Sequence, residues 1–330
     1  ALGCCEISLI PVTCFILSES GPSKLPGQFV VSQAPEFQIG LNTFAAALRT
    51  KDFVVTSELL LGPQSGHEHI NEQAEALRGH VDGVLVTDNQ SGRLHMSSLV
   101  ASSLLKQAGV EPIMQLGCRN RNRISLLGDL LGANALDIRS IQLVRGERVP
   151  DGFTPRPNAL LDLTATELIE IAHKMKTGES VAHIPELFLG GVVTPRAPKA
   201  DWPARKLFEK IDAGAQFFMT HTCMDADVVR KYMQHLVSLK VMHRANMLAS
   251  IAVLGSAQDA DWLRKNKTNV MLPEWIVDEI DSHPEPREKG IAIAADLLRE
   301  LSEIPGLAGV HIYAPTDLSA VPDAIRKAGL

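Results

Sequence analysis

The sequence predicts an α/β protein: a closed (β/α)8 TIM barrel carrying an N-terminal extension. Three observations lead there. Short, continuous apolar runs alternate with amphipathic helical patterns, as in a parallel sheet covered by helices. Eight such runs fit between positions 51 and 330, the size of one barrel. No Gly-x-Gly-x-x-Gly follows an early strand, so the open doubly wound sheet lacks its dinucleotide fingerprint, and no Walker-type loop is present.

Taken in order, residues 1–50 read as an extension and 51–330 as the catalytic barrel. Residues 7–17 are apolar but lack a basic segment before them and are too short to span a bilayer. The expectation is an ordered arm, not a signal or membrane anchor. Left exposed, such a run invites aggregation. It should pack on the barrel or on a second subunit, in a homodimer or a larger even assembly such as a homotetramer. Gly, Pro and Ser then punctuate residues 18–23, and a short helix near 40–48 leads into the first strand. That strand, 53–61, reads Phe-Val-Val-Thr-Ser-Glu-Leu-Leu-Leu and is closed by Gly62-Pro63. Further apolar strands are predicted at 82–87, 112–117, 140–145, 187–193, 217–222, 247–254 and 308–312. Helical periodicity falls at 68–78, 97–108, 121–135, 164–176, 202–213, 225–239, 257–265 and 288–301, giving strict alternation.

Composition narrows the function. The chain is 45% apolar and 21% charged, which is globular. A net charge of −6 without a Lys/Arg block argues against a nucleic-acid partner. The five cysteines are irregularly spaced, with no Cys-x-x-Cys, so neither a disulfide framework nor a structural zinc is expected. A reducing, cytoplasmic compartment is.

In a (β/α)8 barrel, chemistry gathers at the C-terminal ends of the strands. Those ends carry Glu58, Thr87-Asp88-Asn89, Gln115, Cys118-Arg119-Asn120, Arg145-Gly146-Glu147, Thr194-Pro195, Thr220-His221 and His311. Any one of them suits a capped loop. Their convergence on one rim suits a site. Glu58 stands out, because a carboxylate on a buried strand costs several kcal/mol unless it is paired or used.

With these residues in place, the chain resembles the methylenetetrahydrofolate reductase family from about Phe53 to Tyr313. Thr56-Ser57-Glu58 looks like the family's Ser-x-Glu, and Val84 to Asn89 is similar to its second-strand Val-Thr segment. Gln115-Leu116-Gly117-Cys118 falls where the family has His-Leu-Thr-Cys. Leu143-Val144-Arg145-Gly146-Glu147 resembles its Leu-Arg-Gly-Asp. Lys210-Ile211-Asp212-Ala213-Gly214-Ala215 matches its Lys-x-x-Ala-Gly-Ala, and Thr220-His221 takes the place of Thr-Gln. Order and spacing, more than any single motif, carry the resemblance.

The resemblance implies two hydride transfers through a bound flavin. One runs from NADH or NADPH to flavin, the other from flavin to 5,10-methylenetetrahydrofolate, forming 5-methyltetrahydrofolate. It implies flavin contacts at Thr87, Gln115, Arg145, Gly146, Glu147 and Lys210, and folate contacts at Glu147, His221, Asp259 and Trp262. Glu58 becomes the general acid that protonates folate N10. Burial and the neighbouring Glu147 are expected to raise its pKa. FAD is the expected flavin. Glu209 stands beside Lys210 where the family often has a second basic residue, which leaves FMN or no tightly bound flavin as alternatives. The competing functions are a folate-binding homologue without redox activity (a methyl-transfer partner or regulatory subunit) and a flavin-independent reductase.

Overall fold

The computed structural model describes residues 43–180, 182–184 and 186–330. The apolar run at 7–17 lies outside the described residues. A short helix, α1 (Phe44–Thr50), leads into β1 (Val54–Glu58). Then come α2 (His67–Leu77), β2 (Gly83–Val86), α3 (Ser98–Gln107), β3 (Pro112–Gly117), α4 (Arg123–Ala135) and β4 (Ser140–Val144). The second half continues with α5 (Ala165–Thr177), β5 (Phe188–Val193), α6 (Arg205–Asp212), β6 (Phe217–Thr222), α7 (Ala226–Ser238) and β7 (Asn246–Ala252). It ends with α8 (Ala257–Asn266), α9 (Glu274–Asp281), α10 (Pro286–Ser302), β8 (Gly309–Tyr313) and α11 (Ala320–Ala328).

The strands pair in sequence order, all parallel, and β1 pairs with β8, so the barrel closes as expected. The alternation is less strict than the sequence suggests. Helices α8, α9 and α10 all lie between β7 and β8, and the helix completing the last unit is α11. Neither α9 nor α11 stands among the sequence-predicted helices. Both are short, at 8 and 9 residues, so each offers few turns of periodicity.

Successive residues of a strand face opposite sides, so one residue in two points into the barrel. In the lower half those positions are apolar: Val54, Leu85, Ile113, Phe188, Phe217 and Leu248 form one cluster with Phe44 of α1. The Phe44 ring stands edge-on to Phe188 at 5.9 Å and to Phe217 at 5.1 Å, favourable aromatic geometry. Gly190 of β5 makes the room, since a Cβ there would overlap the Phe217 ring. Further along the same strands the inward positions turn polar: Thr56 and Glu58, Thr87, Gln142, Ser250 and His311 are buried and Gln115 is half-buried. The interior therefore changes from a dry plug to a polar bowl at the C-terminal mouth. Outside the barrel, the helices bury their apolar stripes against the strands in one continuous core.

Among the described residues no helix is long and apolar enough to cross a membrane. Cys118 and Cys223 are buried and unpaired.

Candidate active site

The polar bowl opens into a cavity of about 520 Å³, within the range of small-molecule sites. Glu58, Thr87, Gln115 and His221 line it, and so do Arg145, Gly146, Glu147 and Lys210. Eight of the ten residues singled out by sequence are thus brought together. Asp259 and Trp262 are not among the lining residues.

Glu58 is held in a full set of contacts. Lys267 Nζ donates to both of its oxygens, at 2.8 and 3.1 Å, Gln90 Nε2 donates to Oε1 at 2.6 Å, and His311 Nε2 lies 3.6 Å from Oε2. Only 3% of the Glu58 side chain and 15% of the Lys267 side chain are exposed, so solvent screens the pair little. Lys267 also sits 4.4 Å from the centre of the Tyr313 ring, a cation–π contact. Burial pushes the Glu58 carboxyl up, as expected. The Lys267 charge, with His311 adding to the pull, outweighs burial and brings it down to about 2. The expected raised pKa is therefore corrected: the free protein holds Glu58 ionised, because Lys267 bonds both oxygens.

Glu147 shows the opposite balance. Burial raises its carboxyl, Lys267 and the Ser91 backbone N–H oppose, and the Glu58 charge adds to the rise. Lys267 thus acts on two carboxylates and is bonded to one. The loop carrying Ser91 is tied down nearby. Ser91 Oγ donates to the Asn266 carbonyl at 2.5 Å, and Arg93 Nη2 donates to Asn266 Oδ1 at 2.7 Å.

Two cations, Lys210 and Arg145, line the same cavity. Lys210, on α6, reaches the cavity and donates to the Val192 carbonyl at 2.7 Å; burial lowers its pKa. Arg145 has no hydrogen-bond or ion-pair partner among the described residues and is exposed. Gly146 turns with φ +81°, a left-handed conformation suited to glycine, and its carbonyl accepts from Arg119 Nε at 3.3 Å. Burial, then the charges of Lys210 and Lys267, bring His221 down to about 4, so its ring is neutral at pH 7 and both donates and accepts. Two buried polar atoms on cavity-lining residues lack a partner among the described residues: Thr87 Oγ1 and Gln142 Nε2. Buried polar groups are nearly always satisfied, so two orphans at one cavity mark a place for a ligand.

The two residues left out have other work. The Asp259 carboxylate accepts from Gly255 N–H and from Thr316 Oγ1, both at 2.8 Å, and so ties the start of α8 to the loop after β8. Trp262 lies in a neighbouring groove of about 420 Å³ with Leu60, Leu61 and Pro315; Gln90 lines both spaces.

Sequence reasoning missed Lys267, Gln90 and Gln142. Gln142 had a signal: it stands between Ile141 and Leu143, which pack in the outer core, and so lies on the inward face of β4. Lys267 had none, since it follows α8 in a stretch unlike a strand end.

A family model described as methylenetetrahydrofolate reductase matches residues 43–329. The chain is 21% identical over 248 residues to a probable methylenetetrahydrofolate reductase (NADPH) of Caenorhabditis elegans, covering 71% of this chain and 34% of that protein. It thus spans about a third of that relative's length. It is 25% identical over 233 residues to the 5,10-methylenetetrahydrofolate reductase of Escherichia coli K12, covering 68% and 72%. A similar solved structure is an uncharacterized Clostridium thermocellum protein that binds two copies of 5-methyl-5,6,7,8-tetrahydrofolic acid. Its TM-score is 0.58 at 13% identity, covering 86% of this chain and 96% of that one, a likeness of fold.

Proposed function

The chain belongs to the methylenetetrahydrofolate reductase family, and on that premise we propose that its cavity reduces 5,10-methylenetetrahydrofolate to 5-methyltetrahydrofolate. The observation that carries the reading is Glu58, a carboxylate buried at the cavity wall. The methylene carbon bridges N5 and N10 and accepts hydride poorly until the five-membered ring opens to an iminium ion. Opening needs a proton at N10, and a positioned carboxylic acid supplies one.

Glu58 is the donor to N10 in this reading, and Lys267 sets when it can act. While Lys267 is bonded to it, the acid form is scarce: with a pKa of about 2, on the order of 10⁻⁵ of molecules hold that proton at pH 7. A folate entering the cavity displaces Lys267 toward Glu147. Burial then governs Glu58 and raises its pKa. Neutral His221 hydrogen-bonds the pterin.

A flavin, when bound, supplies the hydride, having taken it from NADH or NADPH. Orphaned Thr87 Oγ1 and the cations Arg145 and Lys210, which have no carboxylate partners among the described residues, fit a flavin's carbonyl edge and phosphates. Gly146 and Glu147 line the same cavity. FAD is favoured over FMN. The apolar run at 7–17 supports a homodimer or homotetramer, and unpaired Cys118 and Cys223 fit a reducing, cytoplasmic setting.

The second reading, a folate-binding homologue without redox activity, has one observation on its side: Glu58 is already fully paired in the absence of ligand. Titration of the purified protein separates the two. FAD or FMN uptake, followed by visible absorption, and 5-methyltetrahydrofolate binding, followed by calorimetry, are both expected. Folate binding without flavin uptake moves the protein to the binder or to a flavin-independent reductase. Binding of neither sinks the proposal.

A further inference from the structure

Two glutamine side chains on the inner wall of the barrel form a relay that ends in an unused donor. It starts at the Asp88 backbone N–H, which donates to Gln115 Oε1 at 3.1 Å. A backbone N–H only donates, so it fixes which end of the Gln115 amide is oxygen. Gln115 Nε2 must then face Gln142, and it donates to Gln142 Oε1 at 2.7 Å. That leaves Gln142 with Nε2, which only donates. This atom is buried and has no partner among the described residues.

The anchor of the relay is rigid. Asp88 accepts from Arg121 at 2.5 and 3.1 Å and from Gly117 N–H at 2.7 Å, which locks the ends of β2 and β3. The far end is placed to meet a ligand. Gln142 is 1% exposed, sits on the inward face of β4 and lines the cavity. Its register partner on β5 is Gly190, which brings no side chain beside it. Gln115 spends a donor on Gln142 Oε1 and so orients Gln142.

We propose that Gln142 Nε2 donates to a ring carbonyl of an oxo-pyrimidine seated on the cavity floor, and that Gln115 is the positioning residue that turns it. The chemistry is shared by two sources, the 4-oxo group of a pterin and a pyrimidinedione carbonyl of a flavin. The inference rests on the folate and flavin reading above and adds the atom that selects the ring.

Binding constants of the full chain test it, with folic acid, its 4-amino counterpart and FAD as probes. A site built around a buried donor rejects a ligand that offers no acceptor, by about 10- to 100-fold. Where the pterin supplies the carbonyl, the wild type should prefer the 4-oxo over the 4-amino pterin by that factor. Gln142→Leu should lose about 10- to 100-fold in affinity for the oxo ligand and erase the preference. Gln142→Glu keeps the length and the bond from Gln115 but turns the donor into an acceptor, so it should favour the 4-amino pterin. Gln115→Leu should blunt discrimination without touching the ligand. A loss for FAD alone assigns the carbonyl to the flavin, and a loss for the pterins alone assigns it to folate. Either supports the inference. Folded Gln142 variants that bind all three probes like the wild type overturn it while leaving the folate reading intact. A wild type that binds none of the probes overturns both.

Discussion

Glu58→Gln is expected to slow reduction of 5,10-methylenetetrahydrofolate by about 10²–10⁴-fold, the usual worth of a general acid. Hydride transfer from NADH or NADPH to flavin should stay near the wild-type rate, because that half needs no proton at N10. Glutamine keeps the size of the side chain and a carbonyl for Gln90 and Lys267 to donate to, but it has no acidic proton. Glu147→Gln should act differently, changing folate affinity or flavin potential more than proton transfer. Stopped-flow traces of flavin reduction and reoxidation measure the halves apart. Equal slowing of both in Glu58→Gln makes Glu58 a structural or binding residue. A harmless Glu58→Gln with a Glu147→Gln that abolishes reoxidation exchanges the two roles. The raised carboxyl of Glu147 makes that exchange the specific rival.

Lys267→Met is expected to destabilise the fold by about 3–5 kcal/mol at neutral pH, as when one partner of a buried ion pair is removed. The sign of its pH dependence is the sharper test. In the wild type the folded pKa of Glu58 is depressed, from 4.5 to about 2. Its contribution to stability is fully present above 4.5 and is lost as pH falls toward 2. Without Lys267, burial is the largest influence left against His311, and the folded pKa is expected to rise above its ordinary value. Ionising the buried carboxyl then costs stability as pH rises. From about pH 5 to 8 the variant should lose stability while the wild type, so far as this group is concerned, stays level. Urea midpoints across that range read it directly. Parallel curves mean that Lys267 does not control Glu58.

The strands were legible because each buried parallel strand is a continuous apolar run, and β3 and β6 begin and end where the sequence places them. β1 stops at Glu58, short of the expected 61, because Leu59 to Leu61 leave the ladder after Leu59 N–H bonds the Leu85 carbonyl. The cavity wall was legible too, since strand order and period two decide which residues meet at the mouth. What the sequence hid is charge. Glu58 and Lys267 are 209 residues apart, and nothing local to either announces the other. Burial and the neighbouring Glu147 were therefore weighed for Glu58 without Lys267, with the wrong sign as the result. Asp259 and Trp262 were drawn in by family position, but the first turn of α8 spends the Asp259 carboxylate on its own loop, and the helix carries Trp262 into the neighbouring groove.

The most direct measurement follows a ¹³C label in the methylene group of 5,10-methylenetetrahydrofolate by NMR. The purified protein is supplied with FAD and with NADH or NADPH. The methylene signal should convert to a methyl signal with the wild type and persist with Glu58→Gln. A wild type that binds 5-methyltetrahydrofolate yet leaves the methylene signal unchanged, with either nucleotide and with FAD or FMN present, contradicts reduction at this site and leaves a folate-binding barrel.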